Sequence, residues 1–323
     1  MAMKTLISSS FSKTLETSIK SAIQTKSYNQ IPNLLNSIQN PNPNIFNFLS
    51  SYPQSQKTQI IDEILQSFIH IHPRSLPQLT YSLLLSHILQ NPNPFPLSLA
   101  ILQGTLRSGC FPVKQTHLSL SSTWINYRGE CSNNTVTGIL SGMKNIGYKP
   151  DLGTCNYLLL SLCAVDQIDE SVRVLEEMGN VGCEPDSESY GIVIGWMCEL
   201  RMVNDAIELV KKMGRVETRV ELREGVVVKL LAAIRANGEI KRAVEMIGFL
   251  DKSGFWVGFD GYEIVVKGCL EKKEFVLGGK LVMEMLEKGF IPHIRIRQRV
   301  LEGLVSIDEY KFACMIRQKL VNI

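Results

Sequence analysis

The first hundred residues contain no glycine; the first is Gly104, and no cysteine occurs before Cys110. None of the eight cysteines forms a C-x-x-C pair. That spacing gives no zinc ribbon and no thioredoxin-like motif, and leaves thiols that pack as small hydrophobes. No stretch approaches the roughly eighteen apolar residues a membrane span needs. The chain also has no phosphate loop, no G-x-S-x-G nucleophile turn and no H-x-E with paired cysteines of the zinc deaminase kind. A non-enzymatic protein is expected, with no cofactor, metal, membrane contact or small-molecule substrate.

Acidic residues are scarce in the first half. Residues 1–150 carry 11 Lys/Arg against 4 Asp/Glu, whereas 151–323 carry 23 against 27, for a net charge of +3. Attraction for polyanions is therefore expected in the first half and at the far end, where Arg295, Arg297 and Arg299 cluster. Residues 1–26 hold four lysines, six serines and one acid, Glu16, without a long apolar core. That composition fits either an organellar transit peptide or an ordinary first helix. Residues 27–77 read as helical with Pro/Asn-rich loops. His70 and His72, two residues apart, read as surface histidines rather than ligands. Glu176/Glu177 and Asp169/Glu170 read as a solvated face and a helix start rather than a metal cluster.

What the chain does have is a repeat. The tetrad G-x-x-P occurs at Gly109/Pro112, Gly147/Pro150, Gly182/Pro185 and Gly289/Pro292, and Gly254 stands without its proline. From Gly147 to Gly182 is 35 residues, from Gly182 to Gly254 is 72, and from Gly254 to Gly289 is 35. One turn is missing, and "MGRVETRVELRE" occupies its place. Upstream, Ile168, Val172, Leu175 and Met178 share one helical face and return as Val203, Ile207, Val210 and Met213, then Ile240, Val244, Ile247 and Leu250, then Phe275, Gly279, Val282 and Met285. Gly279 is the single small residue in that stripe. A second file, Ser171, Ala206, Ala243 and Gly278, is small throughout, as close helix approach requires.

An earlier apolar segment in each unit, such as "TCNYLLLSLCA", supplies a second helix, with Asp166 the expected N-cap of the helix near Ile168. Each pair alone leaves an apolar face uncovered, so the pairs must stack: an all-α α-solenoid is predicted, about 35 residues per repeat. Glycine supplies the left-handed residue ending each second helix, proline stops it, and Asp caps the next helix. The array spans 78–293, with units at 78–113, 114–151 (degenerate), 152–186, 187–223, 224–258 and 259–293, then a partial closing repeat at 294–323.

A 35-residue hairpin ending in G-x-x-P-D, with the body "CNYLLLSLC…IDESVRVLEEMGNVGCEPD", resembles the pentatricopeptide repeat family of plant organellar RNA-binding proteins. The resemblance is strongest over 147–293. It implies single-stranded organellar RNA as partner, in mitochondrion or chloroplast, for splicing, stabilisation or processing with other proteins. It further implies that each repeat reads one base through the fifth residue of its first helix and the last residue of the repeat. Those are Asn156 with Asp186 and, at an unchanged length of 35, Ser121 with Asp151. The other units depart from the pattern, with Gly191, Val228 with Gly258, and Glu263 with His293. The stacking position holds Gly153, Glu188, Gly225 and Asp260 where the family usually has Val or Ile. A protein-binding scaffold that kept the fold and lost base reading is the competing expectation.

Overall fold

The computed structural model describes residues 14–38, 41–130, 134–215 and 220–321. Residues 216–219 of the segment replacing the missing turn, and half of the candidate transit peptide, lie outside them. The described residues form an all-α fold of the α-solenoid class, with no strand among them. They divide into two compact units, Met1–Pro185 and Asp186–Ile323.

In the first unit, α1 (14–24), α2 (Ile31–Asn36) and α3 (Gln54–Phe68) precede the helix pairs α4/α5 (Gln78–Leu89, Phe95–Arg107), α6/α7 (Gln115–Glu130, Val136–Asn145) and α8/α9 (Leu152–Cys163, Ile168–Glu177). First helices pack on first helices, α4 on α6 and α6 on α8. His70 and His72 are exposed in the turn beyond α3, off any helix. The second unit holds α10/α11 (Ser187–Glu199, Val203–Arg215), α12/α13 (Glu224–Ala236, Ile240–Lys252), α14/α15 (Phe259–Glu271, Phe275–Glu287) and α16/α17 (Ile294–Ser306, Tyr310–Val321). Here α10, α12, α14 and α16 follow one another along one side. Residues 294–321 thus hold both helices of a pair.

The turns explain the period. Gly109, Gly147, Gly182, Gly254 and Gly289 have φ between 72° and 88°, the left-handed region. After Gly289, the Phe290 N–H donates to the Met285 carbonyl and the Gly289 N–H to Leu286, which closes α15 in a Schellman motif. From α8 onward, the first helix of each pair ends the same way, at a position where glycine is not required. Asp166, Arg201, Gly238, Lys273 and Asp308 have φ of 58° to 77° at spacings of 35, 37, 35 and 35. Asp166 is therefore the left-handed residue that closes α8, and the next N–H, of Gln167, donates to Leu162. It does not cap α9, whose N-cap is Gln167 with no side-chain cap bond. The expectation failed because the link is too short for α8 to end without a left-handed residue, and Asp tolerates that conformation.

The stripe is the core. Leu175, Met178, Ile207, Val210, Ile247, Leu250, Val282 and Met285 are all buried. Its small member has a packing reason: a Cβ on Gly279 would come within 2.7 Å of the Phe312 ring from α17, which fills the space a side chain would occupy. At Gly278 a Cβ would meet the Cβ of Cys269 at 3.3 Å, a tight approach between α15 and α14. In the first unit the Phe95 ring meets Trp124 edge-on at 5.0 Å. Above Trp124, Glu170 accepts from the indole N–H at 3.1 Å and from Arg128 Nε at 2.9 Å, tying α6 to α9.

Candidate nucleic-acid interface

The candidate residues lie at the N-caps and within the first two turns of the first helices. Asn156 sits on α8 at the fifth position of its unit and is 9% exposed. Its neighbour Cys155 is buried, and hydrogen bonding with the Cys183 thiol, then burial, hold it protonated. Burial likewise pushes Cys163 and Cys198 up to about 11 and Cys269 up to about 12. Thiols so far above neutral pH are not nucleophiles. Among the described residues no group of three or more His, Cys, Asp or Glu could hold a metal ion.

Both aspartates named from the sequence are N-caps. Asp186 Oδ1 accepts from the N–H groups of Glu188 and Ser189 at 3.1 and 2.8 Å, and Ser189 Oγ accepts from the Asp186 N–H in return, a capping box. Asp151 Oδ1 accepts from the N–H and hydroxyl of Thr154, at 2.9 and 2.7 Å, and Oδ2 accepts from Arg107. Asp151 thus spends both oxygens on structure.

The placement of Ser121 requires correction. The unit containing α6 runs 38 residues from Gly109 to Gly147, not 35. Nine residues on from a turn glycine, as from Gly147 to Asn156, falls Leu118, which is 50% exposed. Ser121 lies three residues further along α6. It is 1% exposed, and its hydroxyl donates to the His117 carbonyl at 2.7 Å. Counting from the glycine would have found this in the sequence. The same count gives Gln298, an exposed amide on α16 that the sequence reading omitted. Leu118, Ser122 and Ile125 line a cleft of about 320 Å³ along α6. Beside it His117 stacks on Tyr157 at 4.4 Å, with Nδ1 2.8 Å from Ser161 Oγ.

In the unit 259–293 the fifth and last residues meet. His293 Nε2 lies 3.5 Å from Glu263 Oε1, and Lys267 donates to Glu263 Oε2 at 2.7 Å. At 3.5 Å the imidazole is a neighbour of Oε1 rather than its hydrogen-bond partner, so that buried oxygen has none among the described residues. Of the glycines at the fifth and last positions, Gly191 is the closely packed one. A Cβ on Gly191 would come within 3.2 Å of Val226, and one on Gly258 within 1.8 Å of the Glu224 carboxylate. The stacking positions Gly153, Glu188, Gly225 and Asp260 are all exposed, and α16 presents Arg295 there.

Residues 150–199 match the PPR repeat family model. A pentatricopeptide repeat-containing protein of Arabidopsis thaliana is 54% identical over 311 residues, 96% of this chain and 90% of that protein. Among solved structures, the pentatricopeptide repeat protein PPR10 from maize is 18% identical, with a TM-score of 0.41 over 91% of this chain and 44% of its own. PPR10 in complex with an 18-nt psaJ RNA element gives 18% identity and a TM-score of 0.35, over 90% and 48%. The chain spans less than half the length of those solved chains.

Proposed function

The chain belongs to the pentatricopeptide repeat family, and on that premise we propose that it is a non-catalytic adaptor that holds single-stranded organellar RNA along its first helices for splicing, stabilisation or processing. The observation that carries this reading is the convergence of Glu263 and His293. The fifth and last residues of one repeat stand 3.5 Å apart, so these two positions of a unit lie side by side. Asn156 holds the fifth position of its unit, and an amide supplies both a donor and an acceptor to a base edge. A uracil-like base is its expected partner. The Lys- and Ser-rich composition of 1–26 supports delivery to a mitochondrion or chloroplast, which a full-length fluorescent fusion would test.

A filter-binding titration over a salt series tests the RNA reading. Phosphate contacts must release counterions, so affinity should fall as salt rises. Asn156→Ala should weaken binding and change the preference at one base, while Glu176→Ala, on a second helix, should do little. Equal losses from both would remove Asn156 from the interface. Absence of salt-dependent binding to any organellar RNA would favour the second reading, a protein-binding scaffold. The observation behind that alternative is electrostatic: 151–293 carries 17 basic against 24 acidic residues, and Glu188 and Asp260 stand exposed on the first helices.

A further inference from the structure

The helix pairs of the second unit expose large apolar side chains at the edge where one pair turns into the next. Trp256 is 61% exposed, Ile291 50% and Ile294 63%, while Trp124 is fully buried and Trp196 half-buried. A chain of rings joins this edge to the meeting of Glu263 and His293. The His293 ring stands edge-on to Phe259 at 5.4 Å, Phe259 to Phe290 at 6.3 Å, and Phe290 to Trp256 at 6.0 Å. The indole is braced from one side and open to solvent on the other.

Charge is divided across the ridge. Arg295 and Arg299 on α16 are exposed, with no ionic partner among the described residues. At the starts of α12 and α14, Glu224 and Asp260 are exposed and have no ionic partner among the described residues, with the Glu224 carboxylate close to Gly258. Phosphate is repelled by Glu224 and Asp260 and attracted by Arg295 and Arg299, and the chain of rings from Trp256 ends at His293, the N-cap of α16. Stacking is otherwise poorly provided for, since Gly225 and Asp260 occupy the positions that could supply it.

We propose that Trp256, with Arg295 and Arg299, forms a second contact surface for single-stranded RNA, on which a base stacks without regard to sequence while the guanidinium groups hold phosphate. Every base has a π-face, so such a platform adds affinity and no selectivity. This inference rests on the RNA-binding reading above and is separable from it.

The test uses the full chain and fluorescence anisotropy with uridine and adenosine homopolymers. Trp256→Ala should weaken both by a similar factor, about 5- to 100-fold, and Trp256→Phe should recover most of the loss. Arg295→Gln with Arg299→Gln should lower the slope of log affinity against log salt by about 1.4, at about 0.7 per phosphate contact. RNA should quench the emission of the exposed indole. If the wild type binds and Asn156→Ala alters its preference, but Trp256→Ala stays within about twofold, the platform is refuted and the RNA reading survives. If the wild type binds neither homopolymer nor organellar RNA, both fall, and the ridge is left to a protein partner.

Discussion

Arg107 donates to Asp151 Oδ2 at 2.9 Å while Oδ1 of the same carboxylate caps α8 through Thr154. A side chain so engaged on the last turn before a first helix holds two helix pairs in register before it can touch a base. Asp151→Ala should therefore cost about 1–2 kcal/mol of stability in urea unfolding, most of it from the lost cap and less than about 1 kcal/mol from the exposed ion pair. Asp151→Asn should keep the cap and lose only the smaller part. Base preference should not change in either variant.

The left-handed residues that end the first helices give a second test. Lys273 has φ of 58° and Gly238 φ of 77° at equivalent positions. Lys273→Gly should stabilise the protein by up to about 1 kcal/mol, and Gly238→Ala should destabilise it by about 1 kcal/mol. The pair separates backbone strain from packing, because an added Cβ at Gly238 would meet only the flexible end of Lys272. Thermal melts of both variants decide it.

Glu170 joins α6 to α9. Burial by itself would raise its pKa, but hydrogen bonds from Arg128 and Trp124 and the charges of Arg128 and Arg173 outweigh that and lower it. A carboxylate lowered on folding stabilises the native state above its unfolded value of about 4.3, and that stability is lost as pH falls through the folded value. Glu170→Gln should cost about 2–3 kcal/mol at neutral pH and flatten the acid limb of the stability profile. Urea midpoints measured from neutral pH down to about pH 3 would show both effects.

Two histidines act in a higher window. His87 is 4% exposed with no partner at either ring nitrogen among the described residues, and burial followed by the charge of Lys57 lowers its pKa. Burial also lowers His117. Below the ordinary histidine value of about 6.5 the unfolded chain takes up protons that the folded chain refuses. Stability should be full above that value and decline as pH falls through the folded ones. His87→Leu should raise stability by about 1 kcal/mol near pH 5 and remove part of the decline. An unchanged slope would mean that the imidazole has a polar partner.

Much of the architecture could be read from spacing. The glycine turns, the Ile168-to-Met178 stripe and its copies, and the small file through Ser171 and Ala206 all lie where periodicity put them, because each depends on a local backbone conformation or on helix phase. The left-handed position at Asp166, Arg201, Lys273 and Asp308 left no comparable signal, since the tight link imposes it on residues that do not prefer it.

Sequence by itself determined the repeat, the helices and the family resemblance, since hydrophobic phase and turn glycines act over a few residues. Tertiary structure decided what the candidate side chains are free to do. Packing placed a phenylalanine ring over Gly279, committed both oxygens of Asp151, and brought His293 to Glu263. Such outcomes depend on which atoms compete for the same space and the same hydrogen bonds, and that competition exists only once the helices are stacked.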